Sequence, residues 1–148
     1  MNPATWIVVA DSCRALIFSI EGNPKRLLPV RELNHPESRM TVRELVHDKP
    51  GRAFERKGDV QHVVTKAFNP KTIEKRKFSL ELAHTLDLAR KEGFMERLVI
   101  VAAPSFLGDL RSHLTDQTAR LVTLELPKNL SQLTSREIQS HLPVALFE

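Results

Sequence analysis

Cysteine is nearly absent from this chain: Cys13 stands alone. It cannot close an internal disulfide, which suits a reducing compartment, and it excludes any zinc site built on cysteines. Long apolar runs are missing too. Trp6 to Ala10 is apolar but meets Asp11 at once, and no basic stretch precedes it. That is too short for the apolar core of an export signal and far below the roughly 18 residues of a membrane span. These absences lead to the expectation of a cytoplasmic protein without a membrane span. No internal repeat or low-complexity tract interrupts the 148 residues. With 41% hydrophobic and 27% charged residues, one core of ordinary quality can be filled, so a single domain over residues 1–148 is expected.

The pattern of what is present reads as an α/β fold. Trp6 to Ala10 is wholly apolar and β-branched, as in a strand buried on both faces. Ala15 to Glu21 alternates, with Leu16, Phe18 and Ile20 on one side. After the turn Gly22-Asn23-Pro24, Leu27 to Leu33 forms a third strand, and its Pro29 cannot donate to a ladder, which assigns it to an edge. From Phe78 the period becomes helical: Phe78, Leu82, Leu86 and Ala89 make a stripe, and Gly93 stands at the C′ position. Leu80 and Leu88 fall off that stripe, which implies a wide buried face. Leu98 to Ala103 is a second apolar strand. Pro104 opens a helix to about Leu114, Leu121 to Leu126 alternates like a sheet margin, and Thr134 with Glu137 is a capping box for a last short helix before Pro143. Placing the two apolar strands side by side at the centre gives the order 3-2-1-4-5. The first three strands are then antiparallel, and strands 4 and 5 are parallel through a helical crossover. This is a ribonuclease H-like five-stranded mixed sheet with flanking helices.

Between the third strand and the first helix, from about Asn34 to Lys77, lies a long stretch with no clear apolar period. Such connections are generally functional or disordered. Arg39 to Val46 reads weakly as two helical turns and Val60 to Thr65 as a short strand. From His35 to Lys77 there are eleven Lys or Arg against six Asp or Glu, while the rest of the chain holds eleven against twelve. This stretch therefore supplies the whole positive balance of a protein of formal charge +4, which points to an anionic partner. Within it, Lys49, Gly51, Arg52, Phe54, Arg56 and Lys57 combine bases, a glycine and an aromatic. That mixture suits close approach to phosphate and stacking on a base.

Catalytic signatures are sparse. A metal-dependent nuclease on this fold needs carboxylates converging on strand ends. Asp11 is well placed for one, but Ala102-Ala103-Pro104-Ser105 supplies none beside it, and Asp11 reads as a turn or cap residue. His35, His47 and His62 are twelve and fifteen residues apart and make no helical ligand pair. Cys13 has no assignable base, and Ser105 lacks the Gly-x-Ser-x-Gly elbow and reads as a capping residue. No catalytic residue, metal or cofactor is expected. The carboxyl ends of strands 1 and 4 do bring Asp11, Arg14 and Ser105 to one rim, with Ser12 and Pro104, where helix N–H groups attract anions.

Several segments in order carry a resemblance: Thr5-Trp6-Ile7-Val8-Val9-Ala10-Asp11 with Arg14-Ala15, Asp48-Lys49-Pro50-Gly51-Arg52, Phe78 with Leu82-Ala83 and Leu86, Leu98 to Pro104 with Leu107-Gly108-Asp109-Leu110-Arg111, and Lys128-Asn129-Leu130 with His141-Leu142. Over nearly its whole length the chain resembles the bacterial host-attachment protein family. That family is similar in turn to the middle domain of archaeal and eukaryotic class-1 peptide release factors, whose loop carries a Gly-Gly-Gln that acts in peptidyl-tRNA hydrolysis. This chain has Pro50-Gly51-Arg52 in the comparable loop and no Gly-Gly-Gln. The resemblance implies a scaffold for contact with tRNA or the ribosome, and a role in host attachment, without the hydrolytic residue. Three functions follow as expectations. The first is a non-catalytic module contacting RNA or a ribonucleoprotein through Lys49, Arg52, Arg56, Lys57 and Phe54. The second is an adaptor whose basic loop meets an acidic protein, and the third is a hydrolase using Asp11, His47, Asp48 or His62.

Overall fold

A computed structural model describes residues 4–36 and 70–148. Strands β1 (Thr5–Ala10), β2 (Arg14–Glu21) and β3 (Arg26–Asn34) are followed by helix α1 (Pro70–Lys91), β4 (Arg97–Ala102) and α2 (Pro104–His113). Then come the single turn α3 (Asp116–Ala119), β5 (Val122–Leu126), α4 (Ser135–Ser140) and a closing 3₁₀ turn, Val144–Phe147. The five strands form one sheet in the order β3-β2-β1-β4-β5. β1 is antiparallel to β2 and parallel to β4, β2 is antiparallel to β3, and β4 is parallel to β5. This is the mixed sheet that the sequence pattern predicts.

The strand period of two divides the central strands between two cores. On one face Trp6, Val8 and Ala10 join Leu98, Ile100 and Ala102 beneath α1 and α2, which contribute Phe78, Leu82, Leu86, Phe106 and Leu110. On the other, Ile7, Val9, Val99 and Val101 pack with Phe18, Leu27, Leu130, Ile138 and Leu142. Both faces are covered, so neither β1 nor β4 has room for a polar residue between Trp6 and Ala10 or Leu98 and Ala102. Pro29 does sit on an edge strand. The register shifts between Ile17 and Phe18, whose partners are Arg31 and Pro29, so Val30 is the extra residue of a bulge and stays exposed.

Helix α1 departs from the sequence expectation at its start and on its outer face. It begins at Pro70, two turns before Phe78, within the stretch read as loop to Lys77. Residues 70–77 are rich in Lys, Arg and Glu, which favour helix without giving an apolar period, and Pro is tolerated in a first turn. Leu80 and Leu88 remain exposed, so they do not widen the buried face; Ser79, Ala83 and Asp87 do, as a second buried row beside Phe78, Leu82, Leu86 and Ala89. Gly93 ends the helix as expected. Its N–H donates to the Arg90 carbonyl and that of Phe94 to the Ala89 carbonyl, a Schellman pair, with Gly93 at φ +81. A Cβ at Gly93 would meet nothing within 4 Å, so backbone strain alone decides the effect of a side chain there. Gly93→Ala is expected to cost about 1 kcal/mol, read as a lower urea midpoint at constant m. An unchanged midpoint would refute the strain argument.

Two other helix starts split the expectations. At α4, Thr134 Oγ1 accepts from the Glu137 N–H at 3.2 Å and Glu137 Oε1 accepts from the Thr134 N–H at 2.9 Å, the capping box read from sequence. That backbone donor also holds the Glu137 carboxyl below its usual range. At α2 the N-cap is Ala103 and no side chain caps the helix. Ser105 therefore does not cap. Pro104 needs no N–H partner, which removes part of the demand.

The turn α3 is an element that no apolar period announces. Its cap, Thr115, accepts from the Thr118 N–H, and both threonines donate to Asp87 Oδ1 of α1, at 2.7 and 2.9 Å. Arg90 Nη2 reaches the same oxygen at 2.9 Å, and Lys91 Nζ lies 3.3 Å from Oδ2. Thr118 is fully buried. These donors, Thr115 foremost and then Arg90 and Thr118, hold the Asp87 carboxyl well below the usual carboxylate range against the opposing effect of burial. One buried carboxylate thus fastens α3 to α1.

Candidate functional site

Because β1, β3, β4 and β5 run in one direction, all four end at a single edge of the sheet. β2 begins there and α1 starts there. In open α/β sheets the crevice outside the carboxyl ends of the strands is where ligands bind.

Asp11 ends β1 and organises this edge. Its Oδ1 accepts from the backbone N–H of Cys13 at 2.7 Å and of Arg14 at 2.9 Å, and its own N–H donates to the Arg14 carbonyl. This is the turn role expected from sequence. The other oxygen does something no sequence signal indicated: Oδ2 accepts from Ser131 Oγ at 2.6 Å. Ser131 is fully buried and follows β5 by 5 residues. Its hydroxyl also lies 2.8 Å from Asn129 Oδ1, but a single hydroxyl hydrogen serves one acceptor at a time, and the charged one is the stronger. Asp11 thereby ties the β1 end to the loop after β5, and both its oxygens are engaged by protein donors.

Arg14 opens β2 with its Nε 3.3 Å from Glu32 Oε2 across the β2–β3 pair, too poorly aligned for a hydrogen bond and so an ion pair only. Ser105 is exposed in the first turn of α2. The parallel register Ala10↔Ala102 sets the β1 and β4 ends side by side, so Asp11, Arg14 and Ser105 do share one rim, but no bond joins Ser105 to the other two. Lys128, just past β5, adds an exposed cation to the same edge.

The two flanks of the basic segment meet at this edge. The His35 N–H, directly after β3, donates to the Cys13 carbonyl at 2.8 Å. The His35 ring stacks on Phe78 of α1, with centroids 5.5 Å apart and planes 19° from parallel, and its Nε2 lies 2.9 Å from Glu74 Oε1. Glu74 is 3% exposed and also holds Lys77 Nζ at 3.3 Å. A nearly buried glutamate on the outer turns of a helix is costly unless paired, and here its partner is the last part of β3's exit. Glu74 was invisible as a functional position in sequence, because its contact with His35 joins residues 39 apart.

Lys49, Gly51, Arg52, Phe54, Arg56 and Lys57 lie outside the described residues, as do His47, Asp48, His62 and the short elements expected at residues 39–46 and 60–65. Among the described residues, no three His, Cys, Asp or Glu side chains come together as a metal-ligand group. No described helix is long and apolar enough to cross a membrane.

Comparison with known proteins gives one family and several solved structures of similar fold. A family described as "Protein required for attachment to host cells" matches residues 6–142. No curated protein matches the chain. Among solved structures, an archaeal translation termination factor aligns over 95% of this chain and 35% of its own, at 12% identity and a TM-score of 0.50. At that identity the likeness is one of fold, and the chain spans about a third of the termination factor's length. A PilM-PilN type IV pilus biogenesis complex aligns over 94% of this chain and 42% of that one, at 18% identity and a TM-score of 0.43.

Proposed function

This chain belongs to the family of proteins required for attachment to host cells, and from that premise we propose that it is a non-catalytic binding module of the cytoplasm. It contacts RNA or a ribonucleoprotein, such as tRNA or the ribosome, through the basic segment between β3 and α1. The observation that carries this reading is the anchoring of both flanks. His35 and Glu74 pin the exit and the return of the segment together at the carboxyl edge of the sheet, which is the edge where α/β scaffolds bind ligands. Residues 35–69 hold seven Lys or Arg against five Asp or Glu, and the first turns of α1, residues 70–77, add four against one, so the segment and the adjoining helix start together hold the protein's positive balance. The release-factor-like fold supports a scaffold of this kind, and the absence of Gly-Gly-Gln from the sequence favours binding over peptidyl-tRNA hydrolysis. In this reading Lys49, Arg52, Arg56 and Lys57 meet phosphates and Phe54 stacks on a base. An effect on host attachment then follows indirectly, from the bound ribonucleoprotein.

The test is a filter-binding titration with bulk tRNA and with ribosomes across ionic strength. Four phosphate contacts predict a loss of affinity of roughly 50- to 150-fold between 50 and 200 mM salt. Replacing Lys49, Arg52, Arg56 and Lys57 by alanine should remove most of that slope, and Phe54→Ala should weaken binding at all salts. No binding at low salt, or binding indifferent to salt, refutes the proposal.

A further inference from the structure

The opposite edge of the sheet carries a second surface, independent of the basic segment. Where β3 begins, a groove of about 640 Å³ runs between Arg26 and Leu27 on one side and α4 with the closing 3₁₀ turn on the other. The volume is in the range of ligand-binding clefts, roughly 300–1,000 Å³. Leu27 and Leu142, each only 6% exposed, give it an apolar floor, and Val144, 74% exposed, is apolar surface left open at its mouth. Arg26 and Arg136 stand in the walls, and neither makes an ion pair or a side-chain hydrogen bond with any described residue. An apolar trough lined by cations without carboxylate partners among the described residues is complementary to a chain that is both acidic and apolar.

The acids near the groove do not neutralise these arginines. Glu137, next to Arg136, accepts from the N–H and hydroxyl of Thr134. Glu21 accepts from Ser19 Oγ at 2.6 Å. The Glu148 backbone carbonyl takes a hydrogen bond from Lys25 Nζ, which adds another cation to this edge. Lys25 and Arg97 line a neighbouring hollow of about 490 Å³. We propose that the groove between β3 and α4 docks an acidic peptide segment of a partner protein, with carboxylates on Arg26 and Arg136 and an aliphatic anchor against Leu27, Leu142 and Val144. A peptide fits better than RNA because the floor is aliphatic and no described aromatic ring other than Phe147 lines it, whereas single-stranded nucleic acid needs stacking platforms.

The probe is a short fluorescein-labelled peptide in which glutamates flank two leucines, titrated into the full chain and followed by anisotropy. Arg26→Glu and Arg136→Glu should each weaken binding roughly tenfold, and Val144→Asp should do likewise. Both arginine side chains are exposed and make no hydrogen bond or ion pair with a described residue, so the variants should melt with the parent. Replacing the peptide's leucines by serine, or its glutamates by lysine, should abolish binding. The variant with alanine at Lys49, Arg52, Arg56 and Lys57 should bind the peptide as the parent does, which separates this proposal from the RNA reading. Several results overturn it: no binding by the parent, binding unchanged in both arginine variants, or binding lost only in the basic-segment variant. Two more do the same, namely displacement of the peptide by an RNA oligonucleotide through Arg136, or a dimer in sedimentation that Arg136→Glu dissolves.

Discussion

Phe78→Ala is expected to lower folding stability by about 4 kcal/mol. The ring is fully buried and does two tasks at once. It fills the core between α1 and the sheet, with the Phe106 ring 5.7 Å away, and it forms the surface on which His35 stacks. Removing it opens a cavity and takes away the surface on which the His35 ring stacks. Phe78→Leu preserves most of the volume and should cost under about 1.5 kcal/mol. Urea titrations at constant m separate the two variants. A change below 1 kcal/mol in Phe78→Ala would mean that the core closes over the gap and that the ring is not the joint described. His35→Ala, made in both backgrounds, should show coupling, since residues in contact are not additive.

The second large effect belongs to Asp87. Truncation to alanine strands Thr115, Thr118 and Arg90 around a site where Thr118 is fully buried, and about 3 kcal/mol of stability should be lost. The pH dependence has a definite sign. The carboxyl is held below its usual range in the folded protein. Its contribution is therefore complete above the ordinary aspartate value near 3.9 and falls away as pH drops below it. The stability of the parent in equilibrium unfolding should fall between about pH 4 and pH 2, and Asp87→Asn should flatten that decline while costing less than Asp87→Ala at pH 7. Some acid sensitivity should persist in the variant, because Glu137 is shifted in the same direction. Parent and variant with identical acid profiles would remove Asp87 from this role.

Helix α3 and the start of α1 show why parts of the fold are silent in sequence. Periodicity reports apolar burial, and neither element is placed by it. The first turns of α1 are fixed by Glu74 meeting His35, and α3 by two threonines meeting Asp87. Each is a polar contact between residues distant in sequence. The rim behaves in the same way: Asp11 as a turn residue is legible from its neighbours, whereas its bond to Ser131, 120 positions away, is not.

The alternation and length of the apolar runs decided which strands are central and which lie at the margins, the crossover rule then gave the order of all five, and the Thr134-to-Glu137 spacing gave the capping box. These are local or period-based properties, and the hydrophobic effect acts on them directly. Composition likewise decided where the positive charge resides. Only the tertiary structure decided that both flanks of the basic segment are pinned at one edge by a buried Glu74. It also decided that Ser105 leaves its helix uncapped, and that Arg26 and Arg136 line one apolar groove. Those outcomes depend on where the packed sheet and helices bring polar groups together in space, and no local pattern encodes that.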